Sequence, residues 1–133
     1  MSVASCIPVI PSADLAKSLR FWVDGLGLSM GRAMRLDGRL VGCMVHNERL
    51  YFWLNQRAGS PIKPENCEGI RLHWAPDDIK ALRERLLQLG YSVSEIVDRE
   101  YGQIEFFVTD DDGYSHCFGV ATNKSGCDHK SAA

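Results

Sequence analysis

Asp98-Arg-Glu-Tyr-Gly-Gln-Ile-Glu-Phe-Phe-Val-Thr-Asp-Asp-Asp-Gly-Tyr-Ser-His-Cys-Phe-Gly-Val120 is the stretch that decides the fold. Gln103 to Val108 concentrates aromatic and β-branched residues, which is a strand's composition. Asp110-Asp111-Asp112-Gly113 follows, and Asp-Gly is the strongest short-range turn signal. Tyr114 to Val120 reads as the returning strand, with Asp98 to Gly102 as a lead-in.

Working upstream, Tyr91 to Val97 is expected to be a strand. Before it, Ile79, Leu82, Leu86 and Leu89 make one apolar helical stripe. Pro76-Asp77-Asp78 opens that helix, since proline suits a first helical turn, and Gly90 closes it. Ile70 to Trp74 is the strand ahead of it, so this half reads β-α-β-β-β.

The N-terminal half repeats the order. Cys6 to Ile10 is expected to be a strand, and Pro8 marks it as an edge or an irregular segment. Ser12 or Asp14 can cap a helix whose stripe is Leu15, Leu19, Trp22, Val23 and Leu26, with Gly25 or Gly27 ending it. Strands follow at Leu28 to Met34, Arg39 to His46 and Leu50 to Asn55, with turns at Asp37-Gly38 and Asn47-Glu48. Asp14, Leu19, Val23, Leu26 and Gly27 match Asp77, Leu82, Leu86, Leu89 and Gly90 at one constant offset, an internal repeat. One such unit sets a single helix on one face of a small sheet, and the other face needs cover, a physical reason for duplication or dimerisation. The expected architecture is α+β, with paired β-α-β-β-β modules over about 6–56 and 69–121 forming a single domain, 1–121. Arg57 to Cys67 reads as a linker, and the polar stretch 122–133 as a disordered tail.

A chain of 133 residues fits one domain with a real core. The formal net charge of -2 gives no basic footprint, so nucleic acid is not an expected partner. No apolar run approaches membrane-spanning length, and the N-terminus lacks a signal peptide's basic and apolar regions, so a cytoplasmic protein is expected. Cys6, Cys43, Cys67, Cys117 and Cys127 are widely spaced without a Cys-x-x-Cys pair, which reads as reduced thiols.

Taken together, residues 6 to 120 resemble the vicinal oxygen chelate superfamily of glyoxalases, extradiol dioxygenases, fosfomycin-resistance enzymes and bleomycin-resistance proteins. Tyr101-Gly102 and Asp110 to Gly113 are similar to the family's closing hairpin. Ile7-Pro8-Val9-Ile10-Pro11, Asp14-Leu15, Phe21-Trp22 and Leu26-Gly27-Leu28 are similar to the opening of bleomycin-resistance proteins. The resemblance implies the glyoxalase fold, in which each sheet curls into a half-open barrel. Enzymes of the family hold a divalent metal with His, Glu or Gln side chains, whereas its binding members carry none and trap a ligand, usually in a dimer's groove. The family's ligand places fall here on Ile7, on Cys117, and on Ile70 or Arg71 according to whether Asp77 or Asp78 matches Asp14. None carries the expected residue. A register slip of one residue would exchange the faces, which keeps His73 and His116 as alternative ligands.

Alternation decides the rest. With Phe52 and Leu54 toward the helix, Tyr51, Trp53 and Asn55 face the other side, as do Glu105 and Phe107 in the second half, and His73 alternates with Arg71. Aromatic concavities with a few polar groups are the usual form of a small-molecule site. The expected ligand site is therefore Tyr51, Trp53, Arg71, His73, Glu105 and Phe107. Trp53 would stack on the ligand. Glu105 would draw a cationic or donating group, and Arg71 would pair with Glu105 or hold an anion. Trp22 and Trp74 are assigned to helix–sheet packing, His46 to solvent ahead of a turn, and Cys117 to a small buried hydrophobe with no assigned base. His129 in the tail has no expected role, and Asp110 to Asp112 read as a solvated turn with too few oxygens for calcium. The function expected is sequestration of a small molecule by a homodimer of bleomycin-resistance type, with no metal, cofactor or catalytic residue. The alternatives are a metal-dependent lyase, isomerase or dioxygenase with an atypical ligand set, and a purely structural or regulatory dimer.

Overall fold

The computed structural model describes residues 2–58 and 71–122. Ile70, Cys67, the proposed linker beyond residue 58, and the tail with Cys127 and His129 lie outside that range. The chain divides into two compact units, Met1–Lys63 and Pro64–Ala133. Each is a β-α-β-β-β module, so the α+β class and the repeat are both present. Among the described residues no helix is long and apolar enough to cross a membrane.

The first unit runs β1 (Val9–Ser12), α1 (Leu15–Leu19) continued by a π-helical segment (Arg20–Gly25), β2 (Ser29–Leu36), β3 (Arg39–His46) and β4 (Tyr51–Gln56). Its sheet order is β1-β4-β3-β2, with β1 parallel to β4 and the other pairs antiparallel. The second unit runs β5 (Leu72–Trp74), α2 (Ile79–Gln88), β6 (Val97–Arg99), β7 (Gln103–Thr109) and β8 (Ser115–Ala121). Its order is β5-β8-β7-β6, again with the first strand parallel to the last.

Local chemistry accounts for most boundaries. Asp37 and Gly38 both take positive φ, 52° and 79°, the conformation a two-residue turn needs to match strand twist. β1 starts later than expected, at Val9. Its ladder to β4 is carried by acceptors, the Pro8 and Ser12 carbonyls taking the Trp53 and Arg57 amides at 2.9 and 2.7 Å, so the prolines need donate nothing.

Asp14 caps α1 by accepting from the Lys17 amide, and the residue that does the same for α2 is Asp78, bonded to the Ala81 amide. Asp77 is therefore not the counterpart of Asp14. Both helices nevertheless end on a positive-φ glycine, Gly27 and Gly90. From cap to glycine the first helix is thus one residue longer, and the π segment absorbs the extra residue: the Leu26 amide reaches back five positions to the Phe21 carbonyl at 2.9 Å. The wider turn also rotates the buried stripe onto Leu15, Ser18, Phe21, Trp22 and Gly25, leaving Leu19, Val23 and Leu26 half-exposed.

The strand expected over Tyr91 to Val97 is reduced to one bridge, Val93 to Val108, and pairing resumes only at β6. The Ser94 carbonyl is taken by the Arg83 guanidinium at 2.8 Å, and the Phe107 amide bonds to the Ser94 hydroxyl at 2.8 Å instead. A side chain has replaced a ladder acceptor, and the strand breaks there.

In the first unit Cys43, Val45, Phe52 and Leu54 are buried toward the helix, where Trp22 lies 5.4 Å from Phe52. In the second, α2 packs against β8, and Phe106, Val108, His116 and Phe118 are buried, with the two Phe rings stacked at 5.2 Å. His116 is buried, and both of its ring nitrogens are hydrogen-bonded inside the core. Its Nδ1 accepts from the Trp74 indole at 3.0 Å, and its Nε2 meets the Asp110 carboxylate at 2.8 Å. An indole nitrogen only donates, so Nδ1 is unprotonated and the ring's proton sits on Nε2, donated to Asp110. Asp110 is buried as well, correcting its assignment to a solvated turn: its other oxygen takes the Asp112 and Tyr114 amides. The closing turn is thereby tied to the core.

Replacing His116 with Leu, of similar size, removes both of these hydrogen bonds. The expected loss is about 2–4 kcal/mol of stability, the range for unpairing a buried hydrogen-bonded charge. Urea unfolding should give an earlier midpoint at unchanged slope. A midpoint equal to that of the parent would show that the relay carries no stability.

Candidate functional site

The face of each sheet turned away from its helix, here the open face, carries the candidate residues. In the first unit the register sets His46 opposite Tyr51, Met44 opposite Trp53 and Gly42 opposite Asn55. All six share this face, because their neighbours Cys43, Val45, Phe52 and Leu54 are buried on the other.

Trp53 lies down across Gly42. A Cβ at Gly42 would stand 2.6 Å from the indole Cζ2, so only glycine lets the ring rest on the strand. The indole N–H points to the Asn55 side-chain oxygen at 3.4 Å. The result is a half-buried aromatic plate held in one orientation. Beside it Tyr51 stacks on His46, with centroids 5.9 Å apart and planes 16° off parallel. His46 is therefore not simply solvated, as its position ahead of a turn suggests. It leans over Gly31, where a Cβ would meet its ring at 3.0 Å. A groove of about 750 Å³ opens next to Tyr51, lined by Cys6, Ile7, Pro8, Met44, Arg49 and Leu50 among others. That volume is in the range of small-molecule sites, roughly 300–1,000 Å³.

The second unit differs in chemistry. His73 pairs with Cys117 and Cys117 with Phe107, while Glu105 pairs with Val97 and Gly119, and Gln103 with Arg99. Arg71, His73, Glu105 and Phe107 thus share one face by alternation, as expected. Glu105 is buried and at the centre of a network. It accepts from the Arg99 Nε at 3.0 Å, the Tyr101 hydroxyl at 2.9 Å and the Gln103 amide at 3.2 Å. Gln103 in turn lies over Gly119, where a Cβ would collide with it. Burial pushes the Glu105 carboxyl up most strongly. The hydrogen bonds from Tyr101 and Arg99, the Arg99 charge and the Gln103 amide together outweigh it and hold the group below its ordinary 4.5. Cys117 is pushed the other way, by burial first and then by the Glu105 charge and a hydrogen bond to Glu105, with Arg71 and Arg99 only partly opposing. It stays a thiol at neutral pH, the form that is not nucleophilic.

A divalent metal does not fit this donor set. With Asp78 matched to Asp14, the second-unit place that the fold family would fill with a ligand falls on Arg71, a cation. The Cys117 place holds a protonated thiol. Glu105 is taken up by its own neighbours. Among the described residues no three His, Cys, Asp or Glu side chains gather in a group that could hold an ion.

Of the six residues expected in the site, Tyr51 and Trp53 lie together in the first unit, and Arg71, His73, Glu105 and Phe107 on one face of the second. Sequence reasoning passed over Arg99 and Gln103. The signal was available only through β6: once Val97–Arg99 is a strand, Arg99 falls opposite Gln103 and beside Glu105.

A sequence model of the Glyoxalase/Bleomycin resistance protein/Dioxygenase superfamily matches residues 7–118. The chain belongs to this superfamily. No curated protein matches it. Among solved structures, this superfamily member is similar to TnmS3, an antibiotic binding protein from Streptomyces sp. CB03234, with a TM-score of 0.68 at 19% identity over 92% of this chain and 100% of that one. It is similar also to a glyoxalase-related enzyme from Clostridium phytofermentans, with a TM-score of 0.69 at 22% identity over 91% and 97% of the two chains. A third is the fosfomycin resistance protein FosX from Mesorhizobium loti, at 0.68 and 15% identity over 94% and 98%. These likenesses show the shared glyoxalase fold; the superfamily includes both binding proteins and enzymes.

The Glu105 network sets a pH dependence. Its folded pKa lies below the unfolded one, so its contribution is complete above the ordinary glutamate range and is lost as pH falls through the depressed value. In Glu105→Gln, stability at pH 7 should drop, and the fall in stability on acidification below 4.5 should be shallower than in the parent. Urea midpoints measured from pH 7 to pH 3 check this; parallel curves for the two proteins would contradict it.

Proposed function

We propose that this superfamily member binds and sequesters a small, planar molecule of antibiotic-like character without a metal or cofactor, in the manner of its bleomycin-resistance-type relatives. The observation that carries the proposal is the Trp53 plate: a half-buried indole kept flat on Gly42 on the sheet face turned away from the helix. A side chain fixed in its binding pose loses little entropy on association. The candidate contacts are Tyr51 and Trp53 in the first unit and Arg71, His73 and Phe107 in the second, with Glu105 beneath them, each set argued from its own sheet. The likeness to an antibiotic binding protein supports the reading, and so does the chemistry of Arg71, a cation, and of Glu105, whose oxygens its own neighbours take up, neither of which suits a metal. Metal-dependent lyase, isomerase or dioxygenase chemistry would need those donors. A cytoplasmic homodimer is part of the same proposal. It is favoured by β2, an edge strand exposed along its whole length with Met34 and Leu36 outward.

The test is native mass spectrometry of protein purified without chelator, followed by calorimetric titration of planar aromatic compounds. A metal-free dimer is expected, and hits should bind at least about tenfold more weakly to Trp53→Ala, a loss of roughly 1.4 kcal/mol. Gly42→Ala, which displaces the ring without removing it, should weaken the same compounds. One tightly held divalent metal per chain, or unchanged affinity in both folded variants, would overturn the proposal.

A further inference from the structure

We infer that Glu105 is an internal clamp rather than a ligand contact, and that the open face of the second unit selects anionic or acceptor-rich ligands over cationic ones. This rests on the binding function proposed above and goes beyond it by naming the ligand's chemical class. It also reverses the sequence expectation that Glu105 draws a cation.

Glu105 is already occupied by its own neighbours. A carboxylate has about four lone-pair positions. At Glu105 three of them are met by the Arg99 Nε, the Tyr101 hydroxyl and the Gln103 amide. The group is only 6% exposed, so a ligand cation would have to displace donors already in place, one of them charged. The donors themselves are not used up. Arg99 spends Nε on Glu105, its side chain is 39% exposed, and its two Nη groups have no acceptor among the described residues. Arg71 acts on Cys117 through its charge, and it too has no hydrogen-bonded or ion-paired partner among the described residues.

The charges facing this surface can be counted strand by strand. β5 with the residue preceding it brings Arg71 and His73, β8 brings Cys117, β7 brings Gln103, Glu105 and Phe107, β6 brings Val97 and Arg99, and the β6–β7 turn brings Tyr101. Among the described residues two guanidiniums face one carboxylate, leaving an excess positive charge. Glu105 fixes the Arg99 fork by its Nε edge and so presents the remaining N–H groups, the arrangement that guanidinium uses for carboxylates and phosphates. Glu105 is thus a positioning residue, and Arg99, absent from the sequence expectation, becomes a specificity residue.

The experiment has a ligand-free arm and a ligand arm. In the first, the Glu105 carboxyl carbon is titrated by NMR in the parent and in Arg99→Gln. The clamp predicts titration below the ordinary glutamate range, moving upward in the variant; an ordinary or raised value in the parent would overturn it. In the second, 2-naphthoate and 2-naphthylmethylammonium are compared by calorimetry. The expected result is at least about tenfold tighter binding of naphthoate, a preference that Arg99→Gln removes. Tighter binding of the ammonium, lost in Glu105→Gln, would overturn the assignment. Should neither naphthalene bind while neutral planar compounds do, the ligand class is wrong and the binding function stands. Should nothing bind while the clamp titrates as expected, the binding function is wrong, and the ligand class falls with it.

Discussion

A four-stranded sheet with one helix has one face to bury and one to spare. That constraint organises both units. Because side chains alternate strictly along a strand, the residues that must meet the helix determine which residues cannot. Phe52 and Leu54 go to the core of the first unit, so Tyr51, Trp53 and Asn55 cannot. Phe106, Val108, His116 and Phe118 go to the core of the second, so Glu105, Phe107 and Cys117 cannot. The candidate site residues are those the folding core leaves over.

The repeat holds the two backbones alike while the open faces diverge. By strand position Gly42 takes the place in the first unit that Glu105 takes in the second, and Trp53 the place of Cys117. Where the first unit removes a side chain so that an indole can lie flat, the second fills the same position with a carboxylate and surrounds it with donors. One face is thereby apolar and planar, the other charged and directional. Stacking and hydrogen bonding are the two terms by which a small molecule is held and oriented.

The parts of this legible in the sequence are those decided locally. Asp37-Gly38 and the Asp110 to Gly113 turn follow from backbone preference, and the faces of β4 and β7 follow from alternation once those turns are placed. The resemblance to the superfamily likewise rested on these short motifs, and the family match over residues 7–118 bears it out. What was hidden depends on contacts between distant residues. A single extra residue in the first helix leaves the apolar spacing nearly intact, so the π turn is invisible until Asp78 rather than Asp77 is seen to cap α2. The break before β6 arises because Arg83 takes a carbonyl eleven positions away. With β6 misplaced, Arg99 could not be put beside Glu105. Asp110 looked solvated and His116 remained an alternative metal ligand because nothing in their own stretch announces that Trp74, 42 positions away, would supply the donor that fixes the ring.

The central claim is that recognition belongs to the open faces and not to the helix-covered ones. The three tryptophans report on it directly, since Trp53 lies on an open face, whereas Trp22 is packed against Phe52 and Trp74 is bonded to buried His116. Each has its own indole N–H signal in a nitrogen–proton correlation spectrum. Titrating in a planar aromatic compound that binds should shift the Trp53 indole signal and leave those of Trp22 and Trp74 in place. Movement of the Trp22 or Trp74 signal with Trp53 unchanged would contradict the account.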